Sequence, residues 1–216
     1  MWFFVGMTLL FVHAYTVPLT LPALLIGSIL SHLDFLDEQI EQLSDAIAEQ
    51  IVPFAAARDL LMTIPGVGQR TAEVIIAEIG TDMAVFPTAG HLASWAGQCP
   101  GNDQSAGKRR SGWTRKGSKH LNGALKDAAM AAMRTNDSYL QALYRRKKPQ
   151  LGHGRALGAV KHSMICAVWH MLSTGELYRD LGGDYYSRRN PQRQTKRLVS
   201  QLQRLVHTVT LKKAAA

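Results

Sequence analysis

Only two cysteines, Cys99 and Cys166, occur in 216 residues, which excludes a disulfide-dense secreted scaffold. Neither stands in a Cys/His spacing that suits a structural zinc site. Charge is missing from the start of the chain: no charged side chain precedes Asp34. Cations are scarce in residues 1–104, where Arg58 and Arg70 stand against 11 Asp and Glu. Acid is scarce in residues 105–216, where 5 Asp and Glu stand against 23 Lys and Arg. The net charge of +9 therefore combines a half at −9 with a half at +18, and the second half is a candidate polyanion binder. No alternating apolar run is sustained, which leaves few strand signals. Apolar residues make up 46% of the chain, enough for a real core, and full disorder is excluded.

The uncharged opening, MWFFVGMTLLFVHAYTVPLTLPALLIGSIL, is long enough to span a bilayer. Pro18 and Pro22 interrupt it, no Lys or Arg flanks it, and it lacks the basic n-region of a signal peptide. Three readings compete for residues 1–30. They form a membrane helix, a buried apolar segment, or a stretch outside the evolved N-terminus, translated beside a truncated gene. Hydropathy alone favours the first.

From Ser31 the pattern changes. Ser31 can cap a helix, with Asp34 in its first turn. Leu33, Leu36, Ile40, Leu43, Ile47, Ile51 and Phe54 then recur every three or four residues, an apolar stripe with Asp37, Glu38, Glu41, Asp45 and Glu49 off it. The stripe fits a surface helix on its own domain and equally a coiled-coil arm pairing with another subunit. Pro53 should end or kink it.

A second helix is expected over residues 55–63, followed by IPGVGQRTAEVIIAEIG. Pro65-Gly66-Val67-Gly68 is a tight turn opening a helix, with Ala72 four residues on. The string resembles a helix-hairpin-helix element, in which glycines let the main chain approach a phosphate and free amides at a helix N-terminus attract its charge. Gly66, Val67 and Gly68 are the candidate contacts, and they would position DNA without reading sequence. A plain αα-turn that needs glycine for geometry is the alternative, and Glu73 and Glu78 nearby favour it.

Phe86-Pro87-Thr88 should start a short helix capped by Thr88, with Leu92 and Trp95 in the core. CPGNDQSAGKRRSGWTRKGSKH, residues 99–120, then reads as a Gly/Ser-rich loop. No acid lies between Asp103 and Asp127. Gly107, Lys108, Arg109, Arg110, Arg115, Lys116 and Lys119 are candidate phosphate ligands, against the alternative of a merely solvated basic loop. A serine that attacks phosphate needs an exposed oxygen and nearby cations; Ser105 and Ser111 both meet this weak requirement, and on chemistry alone most such serines are only hydrogen-bond donors.

Residues 121–133 are alanine-rich and read as a buried helix, 138–146 as an amphipathic one ending in Arg145-Arg146-Lys147-Lys148, and 156–172 as an apolar one after a glycine-rich turn. His162, Cys166 and His170 are spaced i,i+4, but a metal site would need a fourth ligand, so a core thiol and core histidines are the better reading. Arg188, Arg189, Arg193, Lys196, Arg197 and Arg204 lie in or just before a basic tail helix.

Several strings in fixed order — TIPGVGQRTAEVIIAEIG, HLASWAGQCPGNDQSAGKRRSGWTRKGSKHL, ALYRR and ELYRDLGGDYY — resemble the C-terminal half of transposases of the insertion sequence 110/116/902 family. The resemblance runs from His32 to about Leu211. It implies a DNA recombinase whose serine attacks a DNA phosphate. The family's Pro-x(4)-Ser-[Gly/Ala]-Gly-Lys context falls on Pro100 and Ser105-Ala106-Gly107-Lys108, which makes Ser105 the nucleophile and Ser111 secondary. It also implies a separate resolvase-like domain with a magnesium-binding acidic tetrad. The uncharged opening of this chain cannot supply that tetrad, so no metal ligand or cofactor is assigned here and autonomous transposition is doubtful. The resemblance favours the third reading of residues 1–30.

The expected architecture is all-α, with about eight helices and a helix-hairpin-helix element behind a long amphipathic helix. The expected division is an apolar segment 1–30, a coiled-coil helix 31–58, a transposase domain 59–211 and a tail 212–216. Expected partners are DNA, an element-encoded guide RNA and a second copy through the 33–54 helix, in the cytoplasm rather than a membrane. The main alternative is a non-catalytic DNA- or RNA-binding module. A base-excision enzyme is disfavoured, because no lysine-then-aspartate arrangement follows the hairpin and no cysteine cluster suits an iron–sulfur site.

Overall fold

The computed structural model describes residues 2–101, 103–112 and 114–211, with side chains described outside 2–20, 103–104 and 109–111. Among these residues the fold is all-α, with eight α-helices and one small hairpin. It divides after Pro53 into two compact units.

The first unit is α1, Trp2–Ile51, a single helix of 50 residues. It runs through Pro18, Pro22 and Ser31, so Ser31 is not a cap and no helix begins there. Hydrogen bonding already established upstream overrides the local capping signal. The stop is where proline places it, since residues 52–54 tighten into a 3₁₀ turn around Pro53. The earlier part of the apolar stripe is exposed, with Leu33 50%, Ile40 55% and Leu43 62% accessible, whereas Ile51 at its end is buried. Among the described residues, no helix is long and apolar enough to cross a membrane.

The second unit is built around α5, Lys119–Ala132, and α6, Tyr139–Thr174. Helix α5 buries Leu121, Leu125, Ala128, Ala129 and Ala132, a stripe at helical spacing. Against it lie α6 and α3, Gln69–Ile79, while α4, Ala89–Trp95, packs on α6 and α2, Ala55–Leu61, on α3. Leu61, Ile64, Ile75, Leu92, Val160, Met164, Ile165 and Val168 complete the core. Thr88 caps α4 as its sequence predicts, its Oγ1 accepting from the His91 amide. Leu92 is buried, but Trp95 is 49% exposed and leans on the Phe86 ring, 5.5 Å between centroids. Trp169 Nε1 donates to the Phe86 carbonyl at 2.8 Å and ties α6 to the approach to α4.

Helix α6 is broken at Gly152, whose φ of 76° and ψ of 173° lie where only glycine is at ease. Tyr144 Oη and His153 Nδ1, 2.7 Å apart, bridge the break. Helices α7, Tyr185–Arg189, and α8, Pro191–Arg204, follow, with Asn190 Oδ1 capping α8 through the Arg193 amide.

Residues 99–120 are not the open loop expected from composition. They contain an antiparallel hairpin, β1 Asp103–Ser105 and β2 Lys108–Ser111. Strands of three and four residues are too short to show a period of two, so alternation could not reveal them.

Candidate nucleic-acid interface

The hairpin turns on two residues, Ala106 and Gly107, with φ of 51° and 73°. Two left-handed residues between paired strands make the type I′ turn, whose twist matches the strands it joins. In this register Ser105 pairs with Lys108, placing both side chains on one face of the ribbon at its tip. Both are exposed. Arg109, Arg110 and Ser111 are on β2, and their side chains lie outside the described residues.

Alanine is an unusual residue for the first turn position, and a left-handed conformation costs a non-glycine residue about 1–2 kcal/mol. Ala106→Asn, which gives the favoured Asn-Gly pair, should stabilise the hairpin by about 1 kcal/mol. Hydrogen-exchange protection of the β1 and β2 amides should rise accordingly. Unchanged protection would contradict the turn assignment.

The stem is anchored by close backbone contact. Pro100 and Thr114 form an isolated bridge below the strands. Beneath it, Gly97 ends α4 at φ 68°, with its amide on Ser94 O and the Gln98 amide on Ala93 O, a Schellman motif. A Cβ built on Gly97 would lie 2.6 Å from Arg115 O, and one on Gly117 would lie 2.3 Å from Ala96 O. The two glycines thus clasp the start and end of the hairpin segment. Ser118 follows and caps α5, its Oγ accepting from the Leu121 amide at 3.3 Å. Arg115, Lys116 and Lys119 are all exposed along this foot, and the first turn of α5 holds no acid.

The cations here are electrostatically unmatched. Ion pairs among the described side chains are Arg58–Asp59 and Arg188–Asp184. Lys108, Arg115, Lys116, Lys119 and Arg145–Lys148 take part in neither. Arg146 instead lies 4.3 Å from the centroid of the Tyr186 ring, and Tyr186 stacks on Tyr139 at 5.8 Å. Burial and the hydrogen bond to Tyr139 push the Tyr186 phenol far above its ordinary range, so it stays neutral.

The α2–α3 turn divides its three candidates. Gly66, at φ 89°, presses on α5, where a Cβ would lie 2.3 Å from Ala128 O. Val67 is buried, and its amide donates to Ile64 O at 3.0 Å. Gly68 is open and stands at the N-cap of α3, with Arg70 exposed beside it. Of the nearby acids, Glu73 is buried and accepts from Gln69 Nε2 at 2.8 Å.

Two cysteines far apart in sequence meet at one imidazole. Cys99 Sγ lies 3.9 Å from His162 Nδ1 and Cys166 Sγ 3.7 Å from His162 Nε2. Spacing reveals the His162–Cys166 pair, but not Cys99, 63 residues away from the histidine. Burial, then the neighbouring Cys99, raise the Cys166 thiol above its ordinary range and favour its protonated form. No three His, Cys, Asp or Glu among the described residues are placed to hold a metal ion. The acids of α1 lie along one exposed helix, so the magnesium implied by resemblance finds no fitting ligand set among the described residues.

Residues 58–145 match the Transposase IS116/IS110/IS902 family. The Insertion element IS110 uncharacterized 43.6 kDa protein of Streptomyces coelicolor is 34% identical to the chain over 121 residues. That match takes in 55% of this chain and 29% of the relative's length. The α2–α3 turn, the serine hairpin and its glycine foot all fall inside the family range. Residues 58–145 are thus similar to the transposases of the IS116/IS110/IS902 family, and the chain matches only part of the length of the relative it resembles.

Proposed function

We propose that this chain handles DNA in the transposition of an insertion sequence, with Ser105 as the nucleophile that attacks a DNA phosphate. The observation that carries the reading is the exposed hydroxyl of Ser105 at the tip of the ribbon, paired in register with Lys108. Attack would form an Oγ–P bond as the bond from phosphorus to one deoxyribose oxygen breaks. The serine proton passes to solvent, and the leaving oxygen takes up another. Lys108, Arg109, Arg110, Arg115, Lys116 and Lys119 would offset charge that develops on the phosphoryl oxygens. Gly68 and the open N-terminus of α3 would hold the backbone further along. The exposed stripe of α1 fits self-association through residues 33–54, and an element-encoded RNA is a second polyanion for the same cations. The place of action would be the cytoplasm. A magnesium-bearing domain would have to come from outside the described residues.

A covalent trapping assay tests this reading. Wild-type chain, supplied with the element's DNA and a metal-domain partner, should give a protein–DNA adduct that survives denaturation. Ser105→Ala should give none, while its salt-dependent DNA binding stays within about twofold of wild type. Adduct formation by Ser105→Ala would remove the nucleophile assignment. If wild type forms no adduct while both proteins bind, the chain is a non-catalytic binding module.

A further inference from the structure

The hairpin's foot holds a second group of polar side chains, drawn from three elements. Gln98, buried at the end of the α4 segment, donates through Nε2 to Ala96 O at 3.0 Å and to Asn122 Oδ1 at 3.3 Å. Lys161, in the second arm of α6, donates to the same Asn122 Oδ1 at 2.7 Å. With its oxygen taken twice, Asn122 has its Nδ2 left to donate. Lys126 follows Asn122 by one helical turn on α5 and is exposed. Burial, then the charge of Lys126, hold the Lys161 ammonium below the ordinary lysine range. Neither lysine takes part in an ion pair with a described carboxylate.

A half-buried ammonium beside a like charge, with a neutral amide as its hydrogen-bond partner, is an expensive arrangement. A surface site of this kind has two simple remedies, a carboxylate or a bound anion. The chain supplies no described carboxylate, and its amide is already turned to hold the lysine in place. The side chains that remain available, two ammonium groups and an amide N–H, are all donors suited to phosphoryl oxygens.

We propose that Lys161, Lys126 and Asn122 form a phosphate site that grips the DNA backbone apart from the phosphate addressed by Ser105. The proposal rests on the DNA reading above. Chain length ties the two positions together: Ser105 is seven residues on from Gln98, so at full extension they lie within about 25 Å. One strand advances about 3.4 Å per nucleotide, so a single duplex reaches both positions within roughly seven base pairs. Lys161, bonded to Asn122 as Gln98 is, therefore lies close enough to the serine for one duplex to reach both.

The test is the salt dependence of duplex binding by the full chain, with Lys161→Met and Lys161→Arg beside wild type. Met keeps the length of the stem and removes the charge. Loss of one phosphate contact should flatten the slope of log K against log salt by about 0.9. Lys161→Arg should restore the slope, which a merely structural role for the lysine would not require. The thermal midpoint of Lys161→Met should match or exceed that of wild type, because a desolvated charge is gone. A Lys161→Met slope equal to wild type overturns the site while leaving the DNA reading intact. If wild type shows no salt-dependent binding, both fall. If Lys161 is needed for binding structured RNA and not for duplex, the DNA assignment is overturned.

Discussion

Gly66→Ala should lower the melting temperature of the helical unit by about 6–20 °C, from a loss of roughly 3–5 kcal/mol. Two costs combine. The residue sits at φ 89°, where any side chain strains the backbone. The added Cβ would also lie 2.3 Å from Ala128 O and 2.6 Å from the Ala132 amide nitrogen. Those atoms belong to the α5 backbone and cannot rotate aside, so the helix must move. Its displacement would disturb Leu121 and Leu125, both fully buried. A domain is stable by only about 5–15 kcal/mol, so the loss is a large share of the total. Gly68→Ala is the control: it meets nothing within 4 Å and should cost less than about 1 kcal/mol. Thermal melts followed by circular dichroism separate the two, and equal midpoints would mean that the turn does not seat on α5.

Gly117→Ala should combine a stability loss of about 3 kcal/mol with weakened nucleic-acid binding. Its Cβ would lie 2.3 Å from Ala96 O, 2.5 Å from Ala96 C and 2.9 Å from the Gly97 nitrogen. Relief requires the end of α4 and the start of α5 to separate, which shifts Ser118 and its cap on Leu121. Arg115, Lys116 and Lys119 would then lose their common footing. Gly107→Ala is the contrast, since it meets nothing within 4 Å and bears only the strain of its φ of 73°. Melting and duplex affinity measured on both variants decide the matter. Wild-type behaviour in Gly117→Ala would show that the clasp is open in solution.

Signals that were local in the sequence survive in the fold. Thr88 caps α4, Pro53 stops α1, and Leu121, Leu125 and the alanines after them form the inner face of α5. Local signals failed where a larger arrangement outweighed them. Ser31 is a good cap residue, but it sits in a helix already propagating from upstream. The hairpin around Ser105 leaves no sequence signal, because its strands are short and its turn reads Ala-Gly rather than Asn-Gly. Gly66 was legible as a residue the backbone needs, but its partner on α5 was not. The meeting of Gln98, Asn122 and Lys161 had no signal at all, since 24 and 39 residues separate the bonded pairs. Exposure of the Ser105 hydroxyl is a placement that composition alone could not supply.

The glycine at position 152 gives α6 an elbow between two cationic rods. One carries Arg145, Arg146, Lys147 and Lys148, and the other carries Arg155 and Lys161. A residue with a side chain would be strained at φ 76° and ψ 173°, which interrupt the helix at this position. DNA is stiff over such a distance, so a duplex lying along both rods must either accept that curvature or lift away from one of them. The joint thereby lets a single residue's backbone freedom set how the two groups of cations are presented relative to each other.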